Sequence, residues 1–130
     1  MERQMSKPKH ILVVEDNDVG RNAVTNTLKT RGYEVSSVPD AASMRALIDT
    51  ETGIDAVVLD ASHLGESGTS LALYAKAHRL PVVMMSGTKS AMVFAEQHGL
   101  QLLRRPFRPK QLDAALSKVM GSGIYGRAPA

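Results

Sequence analysis

Three carboxylates at the ends of apolar runs are the residues best placed to do chemistry. Glu15 and Asp16 follow His10-Ile11-Leu12-Val13-Val14, and Asp60 follows Ile54-Asp55-Ala56-Val57-Val58-Leu59. Short aliphatic runs closed by turn signals predict buried parallel strands. In an open α/β sheet, ligands bind beyond the carboxyl ends of the strands, near the point where strand order reverses. These rules place Glu15, Asp16 and Asp60 in one crevice. Two like charges about 4 Å apart cost roughly 4 kcal/mol at an effective dielectric of about 20. Such a cluster requires a cation or a bound proton. The expectation is a divalent metal and chemistry on a carboxylate.

The elements that position these residues alternate along the chain. Residues 10–15 read as a strand, followed by a helix over 19–31 capped by Asp18 and stopped by Gly32. Val19, Ala23, Val24 and Leu28 form its expected apolar face. Tyr33–Val38 is a second strand, and Pro39-Asp40 open a helix carrying Ala41, Met44, Leu47 and Ile48. A third strand, 54–60, leads into a polar loop from Ala61 to Gly68 and a helix from Thr69 to His78. Val82–Ser86 is the fourth strand, 89–98 a helix ended by Gly99, and Leu100–Leu103 a short fifth strand. Pro109 lies in the first turn of a last helix ending near Met120. Five β/α units with right-handed crossovers predict a doubly wound, flavodoxin-like five-stranded parallel sheet of order 2-1-3-4-5.

The bulk properties narrow the class. The chain has 130 residues, enough for one domain, and 43% are apolar. Cysteine is absent, which excludes disulfides and thiolate metal sites. No segment has the eighteen or so apolar residues of a membrane span. The start, residues 1–8, reads as a charged leader without the apolar stretch of a signal peptide. Together these features predict a cytoplasmic protein.

Net charge is +3, unevenly spread. Arg104, Arg105, Arg108, Lys110, Lys118 and Arg127 stand against Asp113 alone in the last thirty residues. The reading preferred is a solvated basic face, with a docking surface for an acidic partner as the sharper alternative. Nucleic acid is disfavoured, because no aromatic side chains interleave with the basic ones. The histidines, His10, His63, His78 and His98, lack metal-ligand spacing and read as surface residues. His63 lies in the loop beside Asp60. The methionines at 84, 85, 92 and 120 read as core filler.

In order along the chain stand Val13-Val14-Glu15-Asp16, Val57-Val58-Leu59-Asp60, Gly68, Met84-Met85-Ser86-Gly87 and Arg105-Pro106-Phe107. This set resembles the receiver (CheY-like) domain of two-component response regulators over residues 9–121. The resemblance implies that Asp60 accepts a phosphoryl group from the phosphohistidine of a sensor histidine kinase. It implies that Asp16 binds Mg²⁺ directly, Glu15 partly through water, and the main-chain carbonyl of Ser62 completes the protein ligands. Ser86 would hydrogen-bond the phosphoryl group, and Arg105 would pair with the phosphate or with Asp60. The family pattern also places a cis bond before Pro106.

Three positions depart from that pattern. Arg105 replaces the usual lysine, Leu64 the usual proline four residues after the acceptor, and Leu102 the aromatic residue of the fifth strand. The expected protein is a single-domain response regulator (residues 1–121, with a flexible tail at 122–130). It is not an enzyme in the ordinary sense, but assists its own phosphoryl transfer and dephosphorylation. Its output would be contact with an unknown downstream protein through the fourth helix, fifth strand and fifth helix. Met92, Val93, Ala95, Leu102, Arg108, Lys110 and Lys118 mark that face, which could equally form a homodimer. The rivals are a pseudo-receiver that never takes phosphate, and a flavodoxin-type cofactor binder. The second is disfavoured by an acidic first loop that would repel phosphate.

Overall fold

In a computed structural model, residues 7–61 and 66–121 are described, with the side chains of 66 and 67 left aside. The strands are β1 (His10–Val14), β2 (Glu34–Val38), β3 (Ala56–Asp60), β4 (Val82–Ser86) and β5 (Gln101–Arg104). The helices are α1 (Asp18–Thr30), α2 (Ala41–Thr50), α3 (Glu66–Ala77), α4 (Lys89–His98) and α5 (Pro109–Val119). All neighbouring strands pair in parallel, in the order β2-β1-β3-β4-β5. The expected sheet is thus the observed one.

Strand alternation splits the apolar side chains between two cores. Ile11, Val13, Ala56, Val58, Val83 and Met85 face α1 and α5, where Val24, Leu28, Leu112 and Leu116 meet them. Leu12, Val14, Val57, Leu59 and Met84 face the other side, against Met44, Leu71, Ala75, Ala91 and Ala95. Burial on both faces explains the near-continuous aliphatic runs in β1, β3 and β4. The reversal of strand order falls at β1, whose neighbours are β2 on one side and β3 on the other. The carboxyl ends of β1 and β3 therefore sit side by side at the switch point.

Local sequence sets the helix ends, with some corrections. The cap of α1 is Asn17, not Asp18: Asn17 Oδ1 accepts the Gly20 N–H at 2.7 Å. Asp18 is instead in the first turn, where a carboxylate complements the helix dipole, and pairs with Arg21 at 2.6 Å. Val19 is 78% exposed and Ala23 is exposed, so only Val24 and Leu28 of the expected apolar face are core residues. Asp40 and Thr88 cap α2 and α4, each accepting the N–H three residues on. Gly32 and Gly99 end their helices at positive φ, which glycine adopts without a Cβ penalty. His10 is not a simple surface residue. It is half-buried in β1, with Nε2 2.8 Å from Ser36 Oγ.

Helix α3 starts three residues earlier than expected, at Glu66. Gly68 explains how the helix fits. A Cβ there would lie 2.9 Å from Ala61 Cα and 3.0 Å from its carbonyl oxygen. Backbone atoms cannot swing aside as a side chain can. Gly68→Ala should cost about 1–3 kcal/mol, seen as a lower urea midpoint with an unchanged slope. An unchanged midpoint would show that α3 shifts without cost.

Candidate functional site

Glu15 and Asp60 converge at the ends of β1 and β3, and both are fully buried. The Glu15 N–H donates to Val38 O at 3.1 Å, and its carbonyl accepts Arg21 Nη1 at 2.8 Å. Its side chain is thereby turned inward. Glu15 Oε2 accepts the Asn17 N–H at 3.1 Å. Gly20 on α1 leaves room for it: a Cβ there would lie 3.2 Å from Glu15 Oε1.

Arg105 joins the two acids. Its Nη2 lies 3.0 Å from Glu15 Oε1 and 2.9 Å from Asp60 Oδ2. The arginine follows β5 directly, and its N–H donates to Ser86 O at 3.2 Å, which pins it beside β4. The Arg105–Pro106 peptide is cis, as the family pattern had suggested. Arg104, one residue earlier, is exposed. Arg105 Nε is buried and has no hydrogen-bond partner among the described residues. Burial, and then the hydrogen bond that a protonated Glu15 donates to Asp60, push the Glu15 carboxyl above the usual carboxylate range. The negative charge of Asp60 adds to this, while the Asn17 N–H and Arg105 pull the other way.

The remaining expected residues fall differently. Asp16 is exposed, so it does not join the buried pair. The chain leaves β1 there, and consecutive side chains diverge. Ser86 is fully buried at the end of β4, and its Oγ accepts the Thr88 N–H at 3.0 Å and lies 3.1 Å from Thr88 Oγ1. Ser62, His63 and Leu64 lie outside the described residues. Leu102 is half-buried and packs against the core on the α4 side of the sheet. The expected contact face also needs correction. Ala95 is 2% exposed and belongs to the core, whereas Val93 is 48% exposed. Arg108, Lys110 and Lys118 are exposed.

Mg²⁺ takes hard oxygen donors, and Glu15, Asp16 and Asp60 supply that donor chemistry. The excess of buried negative charge also fits a divalent cation. The arrangement is not assembled, however. Among the described residues no group of three or more Asp, Glu or His side chains is close enough to hold an ion.

Sequence reading missed Asn17, Arg21 and Gly20, which orient Glu15. Asn17 carried a signal, since asparagine ranks with aspartate as a helix cap. Arg21, three residues after Asp18, carried one too.

A doubly wound parallel sheet with buried acids at its switch point, a hydroxyl at the end of β4 and a cation after β5 defines a class: open α/β domains with a polar site at the carboxyl ends of the strands. The sequence matches the family described as the response regulator receiver domain over residues 11–117, and the chain belongs to that family. It is 34% identical over 110 residues to the two-component response regulator-like protein APRR3 of Arabidopsis thaliana, covering 78% of this chain and 22% of that protein. It is 29% identical over 123 residues to the aerobic respiration control protein ArcA of Escherichia coli, covering 88% of this chain and 51% of ArcA. The chain thus spans about half of ArcA and less than a quarter of APRR3. A CheY-like receiver domain from Methanospirillum hungatei superposes with a TM-score of 0.80 at 22% identity, covering 92% of this chain and 99% of that one. The receiver domain of the Pseudomonas aeruginosa sensor histidine kinase PA1611, solved with magnesium in its active-site cleft, gives 0.73 at 24% identity, covering 88% and 98%.

Proposed function

We propose that this receiver domain accepts a phosphoryl group on Asp60 from the phosphohistidine of a sensor kinase and signals by protein contact. The observation that carries this is the placement of Asp60. It is a fully buried carboxylate at the end of β3, within 2.9 Å of a guanidinium and beside a second buried acid. An Asp60 oxygen would attack phosphorus as the P–N bond to the imidazole breaks, giving an acyl phosphate and a histidine that regains its proton from solvent. Mg²⁺, held by Asp16, Asp60, Glu15 and the Ser62 carbonyl, would neutralise charge on the transferred group. Arg105 would move its hydrogen bond from Asp60 to phosphoryl oxygens, which its planar fork suits. Ser86 Oγ would exchange Thr88 for a phosphoryl oxygen.

The partners follow from the surface. Ala23 on α1 stands exposed in a cleft shared with Gly20, Arg105 and Phe107, which suits an apolar contact with the kinase. Output would use Val93 and the basic residues of the α4–β5–α5 face, toward an unknown protein or a second copy in a homodimer. No helix among the described residues is long and apolar enough to cross a membrane. The proposed setting is the cytoplasm, with neither membrane nor nucleic acid as direct partner.

Incubation with Mg²⁺ and acetyl phosphate tests the proposal. Wild type should gain one phosphoryl mass, and Asp60→Asn none. A second reading, a pseudo-receiver that works without phosphate, is favoured by the resting Arg105 bridge and by the response regulator-like relative. Mg²⁺ binding without any mass gain, from acetyl phosphate or a kinase, would establish it.

A further inference from the structure

We propose that Arg105 is a resident counter-ion of the pocket, and that a divalent cation must displace its guanidinium from Glu15 in order to bind. The inference rests on the phosphoacceptor reading, which gives the pocket its metal. A single nitrogen, Nη2, touches the carboxylates of both Glu15 and Asp60, at 3.0 and 2.9 Å. A cation shared by two acids stands where a bound ion would do its electrostatic work. Both acids are fully buried, so bulk water cannot take over that role.

Arginine suits the role better than lysine. Its planar fork can reach two acids at once, and the guanidinium is weakly hydrated. Being tethered, it needs no association entropy, whereas a free ion does. The third acid, Asp16, stays exposed, and the described residues offer no ready-made set of ligands. The bridge is nonetheless releasable. Arg105 Nε is buried without a partner, so the guanidinium rests with a donor unsatisfied. About a third of the side chain is exposed, which leaves it a route outward. The pocket therefore has two arrangements, one closed on Arg105 and one open to the ion.

The test is a calorimetric titration of Mg²⁺ into wild type and Arg105→Met, with the Asn17 amide resonance as a second readout because that N–H bonds Glu15. Arg105→Met should bind Mg²⁺ about tenfold more tightly, since the competing cation is gone. Where Arg105→Met does not fold without metal, Arg105→Lys carries the comparison and should bind at least about twofold more tightly, because an ammonium is more strongly hydrated. Equal or weaker affinity in the folded variant overturns the inference. Acetyl phosphate labelling of the same samples separates the two claims. Labelled wild type with no change in Mg²⁺ affinity defeats this inference alone, whereas tightened affinity with no labelling anywhere defeats the phosphoacceptor reading alone.

Discussion

Arg105→Met should lower the stability of the metal-free protein at pH 7 by about 2–4 kcal/mol in urea denaturation. The variant keeps the backbone N–H that donates to Ser86 O, so the path of the chain after β5 is retained. What it loses is the cation between two fully buried carboxylates. Removing one partner of a buried ion pair leaves an uncompensated charge, which is far costlier than replacing the whole pair. Two features hold the loss below the largest such values. Arg105 is itself 32% exposed, and Glu15 can take up a proton. Added Mg²⁺ should recover much of the loss by ligand linkage. A loss below about 1 kcal/mol would mean that the bridge is electrostatically idle.

Glu15→Gln should act in the opposite direction. The folded-state pKa of Glu15 lies above its ordinary value of 4.5, first because of burial and then because of Asp60. Between those two values the folded protein holds more protons than the unfolded chain. Stability therefore falls as pH rises through that window, and the full cost remains at higher pH. Glutamine carries no charge, keeps an acceptor for the Asn17 N–H and ends its repulsion with Asp60. Without metal the variant should be more stable at pH 7, on the order of 1–3 kcal/mol. The advantage should shrink toward pH 4.5. Urea midpoints across pH measure this. A variant less stable than wild type at pH 7 would show that the Glu15 charge contributes favourably to the fold.

The two effects explain what could be read ahead of the structure. The meeting of Glu15 and Asp60 follows from strand runs and topology alone, because the end of a parallel strand at a switch point has a fixed place. Asp16 does not follow, since the chain leaves the sheet at that residue and its direction depends on the turn. Asn17 and Asp18 are both good caps one residue apart, so helix start could not be decided by residue type. Val19, Ala23 and Ala95 went wrong for one reason. An apolar residue on a helix can face either way when the boundary of the apolar stripe is set by neighbouring elements. Residue type alone does not decide whether Arg105 rests on Asp60, and its reach to Glu15 as well is a three-dimensional fact. That reach is also why the substitution of arginine for lysine matters.

Mapping the phosphoryl group decides whether Asp60 is the acceptor. The protein would be incubated with Mg²⁺ and acetyl phosphate, reduced with borohydride, digested and sequenced by mass spectrometry. Borohydride converts an aspartyl phosphate to homoserine, which marks the acceptor permanently. Homoserine is expected at position 60 alone, and none in Asp60→Asn. Homoserine at Asp16 or Asp55, or a phosphate retained on Ser86 with Asp60 untouched, would contradict it.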